Sequence, residues 1–190
     1  MESIYGKYLA EIEQIQKRFM VQVEKFREEM KEKTGMDPVE HCLSRIKSEE
    51  SMREKCRRKN LPETAESALF EIHDAIGFRI VCAFLDDVYL IRDRLLETKE
   101  YEVVEEKDYI RHAKPNGYRS YHMILKIMGK YYVEIQLRTI SMDTWAALEH
   151  HLKYKKEIKN EQLIIQELKR CADELASTDI SMQTIRDMIK

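Results

Sequence analysis

Apolar side chains recur at helical spacing towards both ends of the chain. Residues 4–33 place one every three or four positions, and residues 158–189 repeat this period, so we predict a long helix in each range. Asp37 followed by a proline is typical of a helix start, with Asp37 as the N-cap, and predicts a second helix over 38–59. A shorter helix is predicted over 64–74.

Between these helices the pattern changes to alternating apolar and polar residues, which indicates strands. Strands are predicted at 78–84, 101–106, 120–127 and 131–138. A helix over 86–98 separates the first two, and a helix that contains Trp145 and Leu148 follows the last. We therefore predict a single domain over 1–190 with an α+β fold, in which a mixed or antiparallel sheet of about four to five strands is flanked by helices.

The last predicted strand has one apolar and one polar face, because side chains alternate across a strand. The polar face carries a carboxylate, an amide and a guanidinium: Glu134, Gln136 and Arg138. Arg79 and His122 also project opposite to the apolar residues of their own strands. If these faces coincide, one side of the sheet is a site suited to phosphate chemistry, which depends on positioning and charge neutralisation. A solvated outer face is the alternative.

Two carboxylates are candidate ligands for Mg²⁺, which typically binds one or two carboxylates together with substrate phosphates. Glu134 lies on the polar face, and Asp74 comes just before the strand that carries Arg79. Taken alone, Asp74 is more simply explained as an aspartate at a turn or a helix end.

The segment 45–59 is unusually basic. At helical spacing it forms one cationic stripe of four residues: Lys47, Ser51, Lys55 and Arg58. Such a stripe is either a solvated helix face or a wall that binds anions. Neither G-x-x-x-x-G-K-[ST] nor G-x-G-x-x-G occurs in the sequence, so side chains would have to hold any bound phosphate.

A Pro-Asn-Gly turn leads from Lys114 to Tyr118. The ring of Tyr118 could stack on a base, a contact worth about 1 to 3 kcal/mol in nucleic-acid complexes. Alternatively, Tyr118 packs inside the protein, and the turn itself does not decide between the two.

Charge and cysteine content exclude some classes of function. The chain has 33 Lys and Arg against 35 Asp and Glu, a balance that argues against a protein whose whole surface binds nucleic acid. None of the four cysteines forms a C-x-x-C pair, so neither a zinc site nor a redox dithiol is indicated. With neither a signal peptide nor a membrane-length apolar run in the sequence, we expect a cytoplasmic protein that does not bind a membrane.

Several motifs occur in a fixed order along the chain. They are Arg45-Ile-Lys47, DAIGFR at 74–79, GYRSYH at 117–122, VEIQLRT at 133–139 and MDTWAALEH at 142–150. Together they resemble the synthetase domain of RelA/SpoT-type (p)ppGpp synthetases over about 38–155, and the chain looks like a single-domain small alarmone synthetase. The resemblance implies a nucleotidyltransferase-like fold. It also implies a Mg²⁺-dependent kinase that transfers the β,γ-pyrophosphate of ATP to the 3′-hydroxyl of GDP or GTP in the stringent response.

The resemblance also implies roles for individual residues. Arg45 and Arg79 would sandwich the adenine of ATP, whose phosphates would contact three residues: Lys47, Ser51 and Lys55. Asp74 and Glu134 are implied to be the catalytic carboxylates and Mg²⁺ ligands, with Glu134 activating the 3′-hydroxyl. Tyr118 would stack on guanine, and the other implied acceptor contacts are Lys107, Lys114, His122, Gln136 and Asp143.

Two other functions stay open at this point. One is a toxin-type synthetase whose acceptor is an adenine nucleotide or the 3′ end of tRNA. The other is a nucleotide- or RNA-binding regulator without catalysis, which the presence of both Asp74 and Glu134 disfavours. The long terminal helices carry more apolar residues than one small sheet can bury, so we also expect a homo-oligomer, with a tetramer as one option.

Overall fold

The computed structural model describes residues 3–153 and 160–189. Its helices are α1 (Leu9–Thr34), α2 (Glu49–Arg58), α3 (Leu85–Glu97), α4 (Ile140–Lys153) and α5 (Glu161–Ile189). Its strands are β1 (Val39–Ile46), β2 (Ile76–Cys82), β3 (Tyr101–Asp108), β4 (Tyr121–Ile127) and β5 (Tyr131–Thr139). A 3₁₀ turn at Gly6–Tyr8 precedes α1, and a π-helical turn at Ser67–Glu71 lies between α2 and β2.

The strands form one mixed sheet in the order β1-β2-β5-β4-β3. β2 and β5 are parallel, and the other neighbours are antiparallel. The parallel pair arises because the chain passes through α3, β3 and β4 before β5 returns beside β2. The predicted α+β fold with a mixed sheet flanked by helices is thus confirmed.

The core lies on one face of this sheet, under α1 and α3. Four residues of α1 are buried: Ile12, Ile15, Phe19 and Val23. The ring of Phe19 lies 4.1 Å from that of Phe78 in β2, centroid to centroid. On the same face β5 buries Val133, Ile135 and Leu137 completely. Because the alternation sends every second side chain of each strand to the opposite face, that face keeps the polar residues.

The predicted helix over 38–59 is wrong in its first half, where β1 forms instead. Asp37 does not cap a helix, because its Oδ1 accepts the backbone N–H of Val39 (2.9 Å) and starts an extended segment. β1 then pairs with β2 along its length. The helix begins after Ser48, whose Oγ accepts the N–H of Ser51 at 3.4 Å.

Other predicted boundaries shift by smaller amounts. The helix expected over 64–74 is reduced to the π-helical turn, in which the N–H of Ile72 reaches the carbonyl of Ser67 at 3.0 Å. Residues 158 and 159 of the predicted last helix lie outside the described residues. In the two described ranges no helix has the length and apolarity to cross a bilayer.

Candidate active site

The polar faces of β2, β4 and β5 coincide, which is one of the two arrangements that the sequence left open, and Lys107 of β3 lies on the same face. In the sheet register Arg79 of β2 lies beside Gln136 of β5, Gln136 beside His122 of β4, and His122 beside Lys107 of β3. Glu134 lies two residues before Gln136 and therefore projects from the same face. These side chains form one continuous row, which we call the polar row, with Glu134 next to it.

An open pocket lies beside the polar row. In the register, Arg45 of β1 lies beside Gly77 of β2, and Gly77 beside Glu134. The side chain of Arg45 extends over Gly77, where an added Cβ would lie 3.8 Å from its Cγ and 3.9 Å from its Nε. The pocket has a volume of about 300 Å³, and its lining includes Arg45, Gly77, Arg79, Glu134 and Gln136.

Asp74 lies just before β2 and binds two lysines. Its Oδ2 accepts from the Nζ of Lys47 at 2.6 Å and from the Nζ of Lys55 at 2.5 Å. Burial alone would raise the pKa of Asp74, but the hydrogen bonds and charges of the two lysines outweigh it and lower this pKa. Lys47 and Lys55 therefore converge on one carboxylate, but the predicted helical stripe is wrong for Lys47, which lies between β1 and α2. Ser51, in the first turn of α2, is exposed.

Glu134 is contacted from two sides. Its Oε2 accepts from the Nε2 of Gln136 at 3.0 Å, and its Oε1 lies 4.0 Å from the Nδ1 of His122. Burial first, and then neighbouring positive charges led by Arg138, lower the pKa of His122 to about 4. His122 is therefore a neutral imidazole near pH 7, which can donate one hydrogen bond and accept another.

Tyr118 lies at the end of the polar row. Its hydroxyl is 2.8 Å from the Nε2 of His122 and 2.9 Å from an amino group of Arg138. The Nζ of Lys114 lies 4.9 Å from the centre of the Tyr118 ring, a cation–π distance. Trp145 of α4 contacts the same ring edge to face, with centroids 6.3 Å apart. The structure therefore brings Lys114 and Tyr118 to the row, as predicted.

Arg138 and Asp143 form ion pairs that join β5, α4 and β2 at the site. Asp143, in the first turn of α4, is 2.9 Å from Arg138 and 3.3 Å from Arg79 through the same Oδ1. The sequence pattern places Arg138 on the polar face but gives it no role, although its side chain is only 5% exposed and binds three neighbours. Alternation reveals the face of such a residue, whereas its burial depends on α4 and is not visible in the strand.

The two predicted metal ligands fit Mg²⁺ in their donor chemistry. Oδ1 of Asp74 is buried and has no hydrogen-bond partner, so a hard oxygen is available there. Within residues 3–153 and 160–189, no group of three or more His, Cys, Asp or Glu side chains is arranged to hold a metal. Mg²⁺ uses few protein carboxylates and completes its shell with phosphates and water.

Comparison with known proteins identifies relatives over most of the chain. GTP pyrophosphokinase YwaC of Bacillus subtilis is 41% identical over 146 residues, which cover 73% of this chain and 70% of that protein. The structure of small alarmone synthetase 1 from Bacillus subtilis bound to its product pppGpp superposes with a TM-score of 0.81 and 31% identity, covering 94% of each chain. A second structure of that protein, bound to AMPCPP, has a TM-score of 0.73 and 29% identity over 96% of each chain.

The family match covers the elements that carry the site. The family described as "Region found in RelA / SpoT proteins" matches residues 44–159, which include β2, β4 and β5 with the whole polar row. With this match and the identity to YwaC over most of the chain, the protein belongs to the RelA/SpoT family.

Proposed function

We propose that this protein is a GTP pyrophosphokinase, which transfers the β,γ-pyrophosphoryl group of ATP to the 3′-hydroxyl of GDP or GTP and releases AMP. The observation that carries the proposal is the polar row with Glu134 beside it and the lysine-bound Asp74 at its edge. The relatives that share this fold include a named GTP pyrophosphokinase, a complex with pppGpp and a complex with AMPCPP.

ATP is proposed to occupy the pocket between Arg45 and Arg79. Guanidinium planes stack on aromatic rings, and the pocket that both arginines line offers room for adenine. The triphosphate then extends towards α2, where Lys47, Ser51 and Lys55 bind it. Both lysines bind Asp74 in the structure, which holds their two ammonium groups close together.

The proposed chemistry is an in-line displacement at the β-phosphorus of ATP. The 3′-oxygen of the acceptor forms a bond to this phosphorus, the bond from it to the bridging α–β oxygen breaks, and AMP leaves with that oxygen. Glu134 takes the proton of the 3′-hydroxyl as general base. The surrounding lysines and arginines stabilise the negative charge that develops on the transferred group.

Mg²⁺ is proposed as the cofactor, with Asp74 and Glu134 as its protein ligands. When bound, it would neutralise phosphate charge and fix the geometry of the triphosphate. The buried free Oδ1 of Asp74 supports this assignment.

The guanine nucleotide is proposed to bind at the other end of the polar row. Tyr118 offers its ring to the base, and the cation of Lys114 beside that ring suits the 5′-phosphates. Lys107, His122, Gln136 and Asp143 complete the acceptor site. Stacking tolerates any purine, so the choice of guanine depends on hydrogen bonds to its edge. We further propose that the protein acts in the cytoplasm, where both of its nucleotide substrates are made.

The decisive experiment supplies γ-labelled ATP and Mg²⁺ with each of four acceptors: GDP, GTP, ADP and tRNA. We expect label to move to GDP and GTP with one AMP released per transfer, and chromatography of the products measures both. Glu134→Gln should abolish transfer, whereas Glu102→Gln, an exposed glutamate of β3, should not. A wild-type protein that labels ADP or tRNA but neither guanine nucleotide would refute the proposed acceptor.

A further inference from the structure

Arg138 is a buried cation with three fixed partners. Its guanidinium donates to Tyr118 Oη (2.9 Å), Gln136 Oε1 (2.8 Å) and Asp143 Oδ1 (2.9 Å). These partners come from the loop before β4, from β5 and from α4. Arginine has donors only, so each partner oxygen must act as an acceptor. Arg138 thereby fixes the orientation of groups that have more than one way to form hydrogen bonds.

The first such group is the pair of Tyr118 and His122. The Tyr118 hydroxyl accepts from Arg138 and lies 2.8 Å from the Nε2 of His122, so it can donate its own proton to this nitrogen. A neutral imidazole that accepts at Nε2 carries its proton on Nδ1. This Nδ1–H faces the Oε1 of Glu134 across 4.0 Å.

The second group is the amide of Gln136. Its Oε1 is turned towards Arg138, which accepts nothing, so its Nε2 must point the other way. There it donates to the Oε2 of Glu134 at 3.0 Å. The opposite amide orientation would place an oxygen against the carboxylate of Glu134 and an N–H against the guanidinium, which is unfavourable at both ends.

We propose that Arg138 is a positioning residue that fixes the tautomer of His122 and the amide orientation of Gln136, so that each presents an N–H to one carboxylate oxygen of Glu134. The role in turnover rests on the proposed function, in which Glu134 takes the proton of the 3′-hydroxyl. Arg138 itself is too buried to be a substrate contact. It acts by keeping this carboxylate in one orientation relative to the pocket.

The first test reads the tautomer of His122 in the substrate-free protein by long-range ¹H–¹⁵N NMR, with His122→Gln assigning the signal. The wild type is expected to hold the Nδ1–H form. Arg138→Met, which keeps the apolar stem, should give a mixture of tautomers. It should also lower kcat on the order of 10²-fold, since displacing a catalytic group by about 1 Å costs that much. An Nε2–H imidazole in the wild type overturns the proposal, as does an Arg138→Met enzyme with wild-type kcat.

A matched control separates positioning from the loss of a buried cation. Arg186 is 13% exposed and binds Asp87 at 2.8 Å, joining α5 to α3. Arg186→Met should leave the His122 tautomer and kcat close to wild type, and a matching fall in kcat there would assign the Arg138 effect to general destabilisation.

A second variant keeps the test decisive where the methionine variant does not fold. Arg138→Lys retains the charge but lacks the planar fork that reaches three partners, so kcat should still fall at least about tenfold; wild-type kcat in this variant overturns the proposal. The tautomer measurement needs no substrate. A protein that prefers another acceptor would therefore refute the proposed function and leave the test of Arg138 intact.

Discussion

At the scale of single residues, the site holds more positive than negative charge before any substrate binds. Two lysines bind one oxygen of Asp74, and Arg79 and Arg138 share one oxygen of Asp143. Each of these two carboxylates is therefore paired with two cations. Such an arrangement attracts a polyphosphate, because an incoming anion takes over cations that the carboxylates satisfy only in part.

Asp74→Asn tests this charge balance. We expect synthesis to fall on the order of 10³-fold, because a lost metal ligand removes several kcal/mol of transition-state stabilisation. Metal-free ATP should bind more tightly than to the wild type, because Lys47 and Lys55 no longer share an anion. Initial rates at saturating Mg²⁺ and calorimetric titration with ATP and EDTA measure the two effects. Asp93→Asn, at an exposed aspartate of α3, is the control, and substantial turnover by Asp74→Asn would reject the role.

His122 makes stability depend on pH in a defined direction. Its folded pKa of about 4 lies below the ordinary value of 6.5, so between these values the unfolded chain binds a proton that the folded protein does not. The contribution is complete above the ordinary value and is lost as pH falls towards about 4. It amounts to roughly 3 kcal/mol, as an upper estimate.

His122→Gln should remove this dependence. Urea denaturation at about pH 7 and about pH 4.5 gives the free energy of unfolding for each protein. The loss of stability between these conditions should be smaller for His122→Gln than for the wild type, whereas His150→Gln, at an exposed histidine, should match the wild type. Equal losses in all three proteins would mean that His122 is not held neutral by the fold.

Strand alternation placed most of the site residues on the polar faces of their own strands but left open whether those faces coincide. Arg79, His122, Glu134 and Gln136 lie on these faces, and the register of the sheet brings them together. Asp74 lies outside a strand, so the sequence pattern offered it as a Mg²⁺ ligand or as a turn aspartate, and only the family resemblance favoured the first. The burial of Arg138 was not predictable, because it depends on the approach of α4 and of the loop that carries Tyr118.

At the scale of elements, α5 holds the loop that carries Tyr118. Gly117 has φ of +91° and lies against α5, where an added Cβ would be 2.6 Å from the Cβ of Ala172. Arg119 donates to Asp173 of α5 at 2.9 Å, and Trp145 donates to the carbonyl of Leu168 at 2.8 Å. The proposed acceptor loop is therefore packed against α5, a helix that carries none of the predicted site residues.

Gly117→Ala should loosen this support. The positive φ and the clash with α5 together should cost about 1 to 3 kcal/mol of stability, and the acceptor KM should rise more than the ATP KM. Gly129→Ala is the matched control, since Gly129 also has a positive φ (+69°) but nothing within 4 Å of an added Cβ. Denaturation and separate Michaelis constants measure the effects. If the two variants behave alike, the contact with α5 does not support the loop.

The misprediction of β1 as a helix has a physical cause. The Asp-Pro start before β1 also occurs at helix starts, and only pairing with β2 selects the extended form. β1 is an edge strand, whose outer side chains are solvated, so its alternation is weak in the sequence. The central strands β2 and β5 are buried on one face and were predicted to within two residues.

At the scale of the whole molecule, the two faces of the sheet have separate tasks. The face under α1 and α3 supplies the apolar core, and the other carries the polar row. α5 belongs neither to the apolar core nor to the polar row. It docks through Arg186 and Gln183 onto the start of α3, and much of its remaining surface is apolar and exposed.

This exposed surface leads to the last prediction, that the protein forms a homo-oligomer through α5. Met182, Ile185 and Ile189 are spaced to share one face of the helix, and they are 47%, 49% and 80% exposed. A contiguous apolar stripe of this kind marks an interaction surface, because leaving it in water is unfavourable. Light scattering should give a mass above the 22.8 kDa of one chain. Ile185→Glu should lower this mass by placing a charge in the stripe, whereas Thr184→Glu, which adds the same charge beside it, should not. A wild-type protein that is monomeric at every concentration would show that the stripe does not join copies of this chain.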